Sequence, residues 1–505
     1  MSTNCEDVVW PPKAPMVEAI YRPSPLLDYR GNPFIEALPE EPSDEHFARV
    51  LPSRPPYDES ERRLPRHLRA HCILRLLRYF EPLGKHYDLA LRMDMMMRSG
   101  YVSRNPNKPA FRERLQAIYE LSQQSELEGA PWEDEFPSWS MALVGVSGSG
   151  KTRAIKRILT QYPQCISHKQ YNLTQIPWIF VESPNDGSVK ELCTGFFRAV
   201  DRVLGGNDFV KRFGGDRVTG PRRIFEVAQT ARLFGIGLIV LDELQHIRAA
   251  GTTGSEKLLN ALVTLVNASE SPILMVGTSS ARHLLQSDFR QAKRASGLGG
   301  LDWDRSEMDD ELRFLFKEIW RYQWTAEESP YTEEIERVLY DKTQGVIDLV
   351  VKLYVLAQYR AIAIGFEKVT PELICSVADD EFKLLQPMLD ALASGDPVRI
   401  AKFDDLSPLN FDKIIQREQS LMASRMSVQA LRDKVSAEAC EGDTAASSPA
   451  SAAKEKRPRN AQVKPDELPP DDLRKRVFAS GTEKSGYELL KECGVVSGPM
   501  DALHA

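Results

Sequence analysis

Residues 145–152 of the chain form a glycine-rich sequence, Gly-Val-Ser-Gly-Ser-Gly-Lys-Thr, which limits the folds that the chain can adopt. Its spacing fits the pattern G-x-x-x-x-G-K-[ST]. An apolar run of strand length precedes the loop, and a helical pattern follows it from about Arg153. In that context the backbone N–H groups of such a loop surround phosphate groups, and the helix N-terminus favours their negative charge. The loop therefore predicts a nucleotide site, against the alternative of an ordinary glycine-rich turn.

The loop supplies most of the candidate cofactor-binding residues. We expect Lys151 to reach the β and γ phosphates of ATP and Thr152 to bind Mg²⁺. The candidate set in the loop is Gly145, Ser147, Gly148, Ser149, Gly150, Lys151 and Thr152.

Two further apolar runs end in polar residues suited to phosphate chemistry. Residues 238–241 are followed by Asp242 and Glu243. The first carboxylate is suited to the Mg²⁺ shell and the second to polarising the attacking water. Residues 273–277 are followed by Thr278, whose hydroxyl could orient water or sense the γ-phosphate. An acid or hydroxyl at a strand end is common by itself, and only its combination with the loop predicts a hydrolase.

Two arginines beyond Thr278 are candidates for a contact between subunits. Arg290 and Arg294 lie in a basic run, and either could act as an arginine finger in a neighbouring subunit's nucleotide site. A solvated basic helix face is the equally good alternative for each.

The pattern of apolar runs predicts an α/β fold with a parallel sheet, a small helical lid and flexible extensions at both ends. Helices are expected after the first, third and fourth strands. The expected segments are a proline-rich arm at 1–75, an ATPase core at 76–325, a helical lid at 326–395, a helical segment and linker at 396–470, and a tail at 471–505. The predicted strands are Ser140–Val144, Trp178–Glu182, Leu238–Asp242 and Ile273–Gly277.

Charge gives a local rather than a global reason to expect nucleic acid. The chain has a net charge of -7, whereas a phosphate partner is usually met by excess Lys and Arg. Residues 187–223 nevertheless carry a local excess of four positive charges, and five glycines lie between residues 205 and 220. This favours DNA contact over an ordinary charged surface. The candidate DNA-binding residues are Lys190, Arg198, Arg202, Lys211 and Arg212.

Cysteine usage and hydropathy indicate the compartment. Seven cysteines are spread without a C-x-x-C pair, which is typical of reduced thiols. The apolar runs are too short to cross a bilayer, and residues 1–10 do not resemble a signal peptide. We expect a cytoplasmic protein without membrane contact.

Beyond these general signals, four stretches carry a more specific resemblance. The order of elements is similar to the AAA+ fold, and the details resemble TnsC, the ATPase regulator of heteromeric cut-and-paste transposons, with TniB and MuB as more distant relatives. The stretches are Asp28–Pro39, Gly100–Pro106, Asp242–His246 and Gln344–Asp348.

The resemblance implies a bacterial regulator that assembles on duplex DNA in the ATP state as a ring or short helical homo-oligomer, and disassembles on hydrolysis. It implies that Thr278 is the first sensor, that Lys190 lies where relatives touch DNA, and that Lys352 occupies the lid's sensor position. The arm at 1–75 would meet a target-selecting partner, either a site-specific DNA-binding protein or an RNA-guided complex. The tail at 471–505 would engage the transposase.

Other uses of the same ATP chemistry are a helicase or clamp loader, another DNA-associated AAA+ ATPase, a protein-remodelling motor, or a scaffold that binds ATP without turnover. A translocating motor needs an aromatic-aliphatic-glycine pore loop, and Phe213-Gly214-Gly215 lacks the aliphatic residue. The second carboxylate, Glu243, argues against a scaffold because it would serve no purpose in binding alone.

Overall fold

A five-stranded, wholly parallel sheet forms the centre of the protein. The computed structural model describes residues 16–122, 140–215, 218–250, 268–282 and 300–403, with residues 258, 260–262, 264–265 and 415. Its strands are β2 (Ser140–Gly145), β5 (Trp178–Glu182), β6 (Leu238–Asp242), β7 (Ile273–Gly277) and β8 (Gly300–Trp303). Their order in the sheet is β5-β6-β7-β2-β8. The four predicted strands are confirmed, and β8 was not predicted.

A second, small sheet has the order β1-β3-β4, in which β1 and β3 are parallel and β4 is antiparallel to β3. Its strands are β1 (Val17–Glu18), β3 (Ile166–His168) and β4 (Leu173–Gln175).

Alternate side chains of the central strands enter two different cores. In β5, Trp178 and Phe180 join one core, whereas Ile179 and Val181 join the other. This period of two explains why the strands are apolar at nearly every position, since both faces of a parallel sheet are covered by helices.

The helices that cover these faces come from several parts of the chain. One face is covered by helices from the first part of the chain and by the helix after the glycine-rich loop: α1 (Pro33–Glu36), α2 (Asp44–Val50), α4 (Gly84–Val102), α5 (Pro109–Ser122) and α6 (Lys151–Leu159). The other face is covered mainly by α7 (Val189–Leu204), α8 (Asp208–Phe213) and α9 (Gly220–Leu233).

The helix expected after the first strand is present as α6, whereas the other connections differ from the sequence expectation. The second predicted strand is followed by α7, which was not expected. The third and fourth lead first into 3-10 turns, Leu244–Ala250 and Ser279–Ala281. The described residues between 258 and 269 are helical.

The segment expected to form a loosely packed arm instead contributes several buried side chains to the two cores. Phe34, Phe47 and Leu51 are buried in the core beside the sheet. Helix α3 (Arg66–Ile73) and the 3-10 turn Leu74–Arg78 pack instead against the lid helices. The sequence did not predict this burial because the apolar clusters are short and separated by prolines. Their burial depends on contacts with distant residues.

The expected lid is present as a set of helices after the sheet. Helix α12 (Ile347–Ile364) is buried on nearly all sides rather than along one stripe, with 12 of its 18 residues buried. An ion pair between Arg69 Nη1 of α3 and Glu367 Oε2 of the lid, 2.7 Å apart, joins α3 to the lid. The helices are α10 (Asp310–Trp320), α11 (Glu333–Thr343), α12 (Ile347–Ile364), α13 (Pro371–Glu381), α14 (Gln386–Ser394) and α15 (Pro397–Phe403).

The described residues lie in one compact unit, Met1–Val428. Most of the expected segment 396–470 and the whole tail at 471–505 lie outside the described residues. Within the described part of the chain, no helix is long and apolar enough to cross a membrane. The four cysteines described there, Cys72, Cys165, Cys193 and Cys375, are free thiols.

Candidate functional site

The glycine-rich loop joins β2 to α6 at the carboxyl edge of the sheet. Gly150 is the N-cap of α6 and has a φ of 91°, a left-handed backbone angle that favours glycine. The Nζ of Lys151 donates to the carbonyl oxygens of Gly145 and Val146, at 2.8 Å each. It also lies 3.3 Å from the Oγ of Ser149. The loop thus holds a buried ammonium group at the start of a helix.

The loop and the end of β6 meet through one hydrogen bond. Thr152 Oγ1 donates to Asp242 Oδ2 at 2.7 Å, and Asp242 Oδ1 accepts from the backbone N–H of Glu243 at 2.9 Å. Burial raises the pKa of the Asp242 carboxyl group, and the hydrogen bond from Thr152 opposes that effect. The structure therefore brings together the two residues that the sequence predicted for Mg²⁺.

These two residues fit a magnesium ion. A hydroxyl and a carboxylate are hard oxygen ligands, and Mg²⁺ commonly takes only one or two protein ligands together with phosphate and water. No group of three or more His, Cys, Asp or Glu side chains that could hold a metal occurs among the described residues. A Mg²⁺ ion held by Thr152 and Asp242 would therefore need further ligands from nucleotide and water.

Glu243 and Thr278 lie at adjacent strand ends and share a contact with one side chain. Gln245 Nε2 donates to Glu243 Oε2, and Gln245 Oε1 accepts from the backbone N–H of Thr278 at 3.2 Å. The hydroxyl of Thr278 bonds instead to Ser280 Oγ at 2.9 Å. Glu243 has a φ of 60°, an uncommon angle for a residue with a side chain.

Most of these groups border one cavity of about 260 Å³ between the sheet edge and the lid. The candidate residues that line it are Ser147, Gly148, Gly150, Lys151, Thr152, Asp242, Glu243 and Thr278. Gly145 lies against the backbone of Trp303 instead, and Ser149 is buried under the loop.

The far wall of the cavity is largely apolar and comes from residues the sequence did not suggest. Leu77, Tyr79 and Phe80 line it from the first part of the chain. His86 lines it too, and its Nδ1 accepts from the backbone N–H of Leu83 at 2.7 Å. Burial lowers the pKa of His86 to about 3, with Lys85 adding to the effect. The imidazole is therefore neutral and carries its proton on Nε2.

The lid reaches the loop through the start of α12. The backbone N–H of Asp348 donates to the carbonyl oxygen of Gly148 at 3.2 Å, and Lys352 Nζ pairs with Asp348 Oδ2 at 2.5 Å. Asp348 lines the cavity and Lys352 does not. Lys352, the candidate lid sensor, thus contacts Asp348 of the cavity wall but does not itself line the cavity.

Arg153 is a cation of this cavity that the sequence did not single out. It lines the cavity directly after Thr152. Burial lowers the pKa of its guanidinium group, Arg157 lowers it further, and the Asp348 carboxylate opposes both effects. The feature of the sequence that could have identified Arg153 is its position as a basic residue directly after the Gly-Lys-Thr triplet.

The candidate DNA-binding residues lie on α7 and α8, which pack against each other. Arg198, Arg202, Lys211 and Arg212 are exposed, whereas Lys190 is half-buried in the first turn of α7.

Not every charge between residues 187 and 223 contributes to that surface. Asp201 is buried and accepts from the backbone N–H groups of Phe209 and Val210, so it does not lie among the exposed arginines. Arg223 is also buried, with its guanidinium group on the carbonyl oxygens of Phe213 and Gly215. The removal of one acid and one base from the surface leaves the local positive excess in place.

Two other sequence candidates have a plain outcome. Arg290 and Arg294 lie outside the described residues. Phe213, the aromatic residue nearest in pattern to a pore loop, is buried against Phe197 with 5.2 Å between ring centroids. It is therefore not available as a pore-loop aromatic.

Comparison with known protein families identifies the central part of the chain. Residues 138–285 match the protein family described as AAA domain. No curated protein matches the chain. Among solved structures, the chain is similar to the Walker-type ATPase of Pyrococcus abyssi at 14% identity, covering 62% of this chain and 89% of that one, with a TM-score of 0.33.

Two more structures show similar values. The Aeropyrum pernix ORC1 protein in complex with DNA is 15% identical over 64% of this chain and 83% of that one, with a TM-score of 0.35. Cdc6p from Pyrobaculum aerophilum is 15% identical over 62% and 83%, with a TM-score of 0.34. Similarities of this size carry no conclusion about this chain. The match of residues 138–285 to the AAA domain family and the parallel five-stranded sheet give this chain the P-loop AAA+ fold.

Proposed function

We propose that this protein is an ATP-hydrolysing switch that assembles on duplex DNA and regulates bacterial DNA transposition. The observation that carries the ATPase part is the meeting of Lys151, Thr152, Asp242, Glu243 and Thr278 at one cavity. The transposition part rests on the resemblance of the sequence to TnsC.

The proposed chemistry assigns one task to each of these residues. The backbone of the loop and Lys151 hold the β and γ phosphates. Thr152 and Asp242, whose oxygens lie 2.7 Å apart, would hold Mg²⁺, which would supply positive charge beside the phosphates. Glu243 orients the attacking water and accepts its proton, and Thr278 senses the γ-phosphate from the neighbouring strand.

The proposed DNA contact is the basic surface of α7 and α8, defined by Lys190, Arg198, Arg202, Lys211 and Arg212. Arg198 is 59% exposed, and its ion pair with Glu191 is long, at 3.7 Å. Such a pair contributes little and is easily exchanged for a phosphate group. Contacts of this kind bind the DNA backbone with little dependence on base sequence.

The proposed assembly is a ring or short helical homo-oligomer in the bacterial cytoplasm. Arg290 or Arg294 would reach the nucleotide of a neighbouring subunit. The resemblance further supports a target-selecting protein, either DNA-binding or RNA-guided, and the transposase as partners. Hydrolysis would release the assembly from DNA.

Sedimentation with duplex DNA tests the proposal. Large DNA-bound particles should form with ATP or a non-hydrolysable analogue and be absent with ADP. The variant Glu243→Gln should retain the particles in excess ATP, because it binds nucleotide without a carboxylate to activate water. A protein that sediments as a monomer in every nucleotide, with or without DNA, would overturn the switch.

The DNA surface has its own test with a matched control. The double change Arg198→Ala and Arg202→Ala should weaken binding to unrelated duplexes alike and lower the salt slope by about one unit for each lost phosphate contact. Arg321→Ala removes an arginine that is 72% exposed outside this surface, and it should leave both quantities unchanged. Equal effects of the two changes would argue against DNA contact at α7.

A further inference from the structure

The turn after β6 contacts both neighbouring strand ends, and each of its polar residues has a different partner. Asp242 bonds to Thr152 in the loop. His246 Nδ1 lies 3.4 Å from the carbonyl oxygen of Ser183, directly after β5. Gln245 points the other way, to the residue directly after β7. The turn therefore joins three adjacent strands at the edge where the nucleotide cavity opens.

Gln245 makes two contacts of opposite polarity with its single amide group. Its Nε2 donates to the Glu243 carboxylate, and its Oε1 accepts from the backbone N–H of Thr278. Because the amide is planar and rigid, the two contacts can be kept together only while Glu243 and the backbone of Thr278 hold one mutual arrangement. A displacement of either group breaks one contact.

The backbone around Gln245 is shaped to allow this approach. A Cβ added to Gly277 would lie 3.6 Å from Gln245 Oε1 and only 2.8 Å from the Cβ of Ala281. Glu243 holds a positive φ without being glycine, and such angles persist only where the surroundings enforce them. The carboxylate is thus held by its backbone on one side and by Gln245 on the other.

From this geometry we propose that Gln245 is a positioning residue for hydrolysis: it couples the orientation of the Glu243 carboxylate to the position of Thr278. The inference rests on the proposed ATPase function and adds to it. Gln245 takes no proton and touches no reacting atom in this role. Its amide keeps Glu243 aimed while the end of β7 stays in place, and lets it turn away when that strand end moves.

Three variants test this role by steady-state ATP turnover with and without duplex DNA, together with binding of a fluorescent ADP analogue. Gln245→Met removes both contacts at similar volume. Gln245→Glu differs by one atom, keeps an acceptor for Thr278, and places a second negative charge beside Glu243. Gln161→Glu adds the same charge just beyond the far end of α6, where the Gln161 side chain donates to the Arg157 carbonyl oxygen and the Thr160 hydroxyl, and is the control.

The coupling predicts a split between turnover and binding. Gln245→Met should lower kcat by about 10- to 100-fold, the scale of a misplaced catalytic group, while affinity for the ADP analogue stays near that of the wild type. Gln245→Glu should be slower still, because it repels the carboxylate it ought to hold. Gln161→Glu should match the wild type.

Each remaining result would overturn the inference. Wild-type turnover in Gln245→Glu would mean that the contact with Thr278 suffices and Glu243 needs no partner. A parallel loss of kcat and nucleotide affinity in both variants would make Gln245 a merely structural residue. If the wild type turns over ATP and Gln245→Met does so equally, only this inference fails. Absence of turnover in the wild type overturns the proposed function as well.

Discussion

The burial of His86 makes the stability of this protein sensitive to pH. The side chain is 2% exposed and lies between two aromatic rings, with centroid distances of 5.1 Å to Phe80 and 5.0 Å to Trp303. Burial lowers its pKa to about 3. We predict that acidification lowers the free energy of unfolding less in His86→Gln than in the wild type.

The size of that part follows from the difference between the folded and unfolded pKa values. A histidine whose pKa is lowered by folding binds more protons in the unfolded chain, so its contribution to stability is present above pH 6.5 or so and is lost as the pH falls towards about 3. Between about pH 7.5 and about pH 5, this linkage lowers the free energy of unfolding by about 2 kcal/mol.

The measurement is urea denaturation of the wild type and of His86→Gln at those two pH values, followed by tryptophan fluorescence. Glutamine does not titrate, and its oxygen can still accept a backbone N–H at the start of the helix, as the Nδ1 of His86 does. The variant should lose about 2 kcal/mol less than the wild type on acidification. Equal losses in the two proteins would refute a buried, neutral His86.

Three further predictions concern the lid and the cavity. Gly345 has a φ of 70°, and a Cβ added there would lie 2.0 Å from the carbonyl oxygen of Ser306. Gly205 has a similar φ of 81°, but a Cβ added there would meet no atom within 4 Å. Gly345→Ala should therefore lower Tm clearly more than Gly205→Ala, and equal shifts in Tm would contradict this. Arg153→Met should weaken binding of a fluorescent ATP analogue about tenfold, because a cavity-lining cation is lost; unchanged affinity would exclude a contact with the nucleotide. Breaking the buried pair of Arg69 and Glu367 by Arg69→Met should cost about 3 kcal/mol in a thermal or urea melt, whereas a nearly neutral change would show that the pair is exchanged for water without cost.

Local patterns in the sequence were enough for four of the five central strands and for the loop. These four strands are short apolar runs because both their faces are buried, and that requirement is visible in each run separately. The glycine-rich loop is equally local: the phosphate-binding backbone, Lys151 and Thr152 occupy eight consecutive residues. The lid helices were predictable for the same reason, since capping residues such as Thr332 and Thr370 stand directly before their first turns.

Other features depend on contacts between residues far apart in the chain, which no window of sequence contains. His86 lines the cavity although it precedes the loop by about 60 residues, and nothing near it in the sequence resembles a binding site. Gln245 was visible only as part of a resembling stretch, because its contact with Thr278 requires β6 and β7 to be neighbours.

The first part of the chain shows the same division most clearly. Its prolines and short apolar clusters predicted a loose arm, since none of the clusters could bury enough surface alone. In the fold, Phe34 and Phe47 enter the core beside the sheet, and Ile73 enters the lid core. Local sequence patterns were sufficient to predict four central strands, the lid helices and the phosphate-binding loop. The side chains that complete the cavity could be identified only in the folded protein, because burial and charge pairing depend on neighbours in space rather than along the chain.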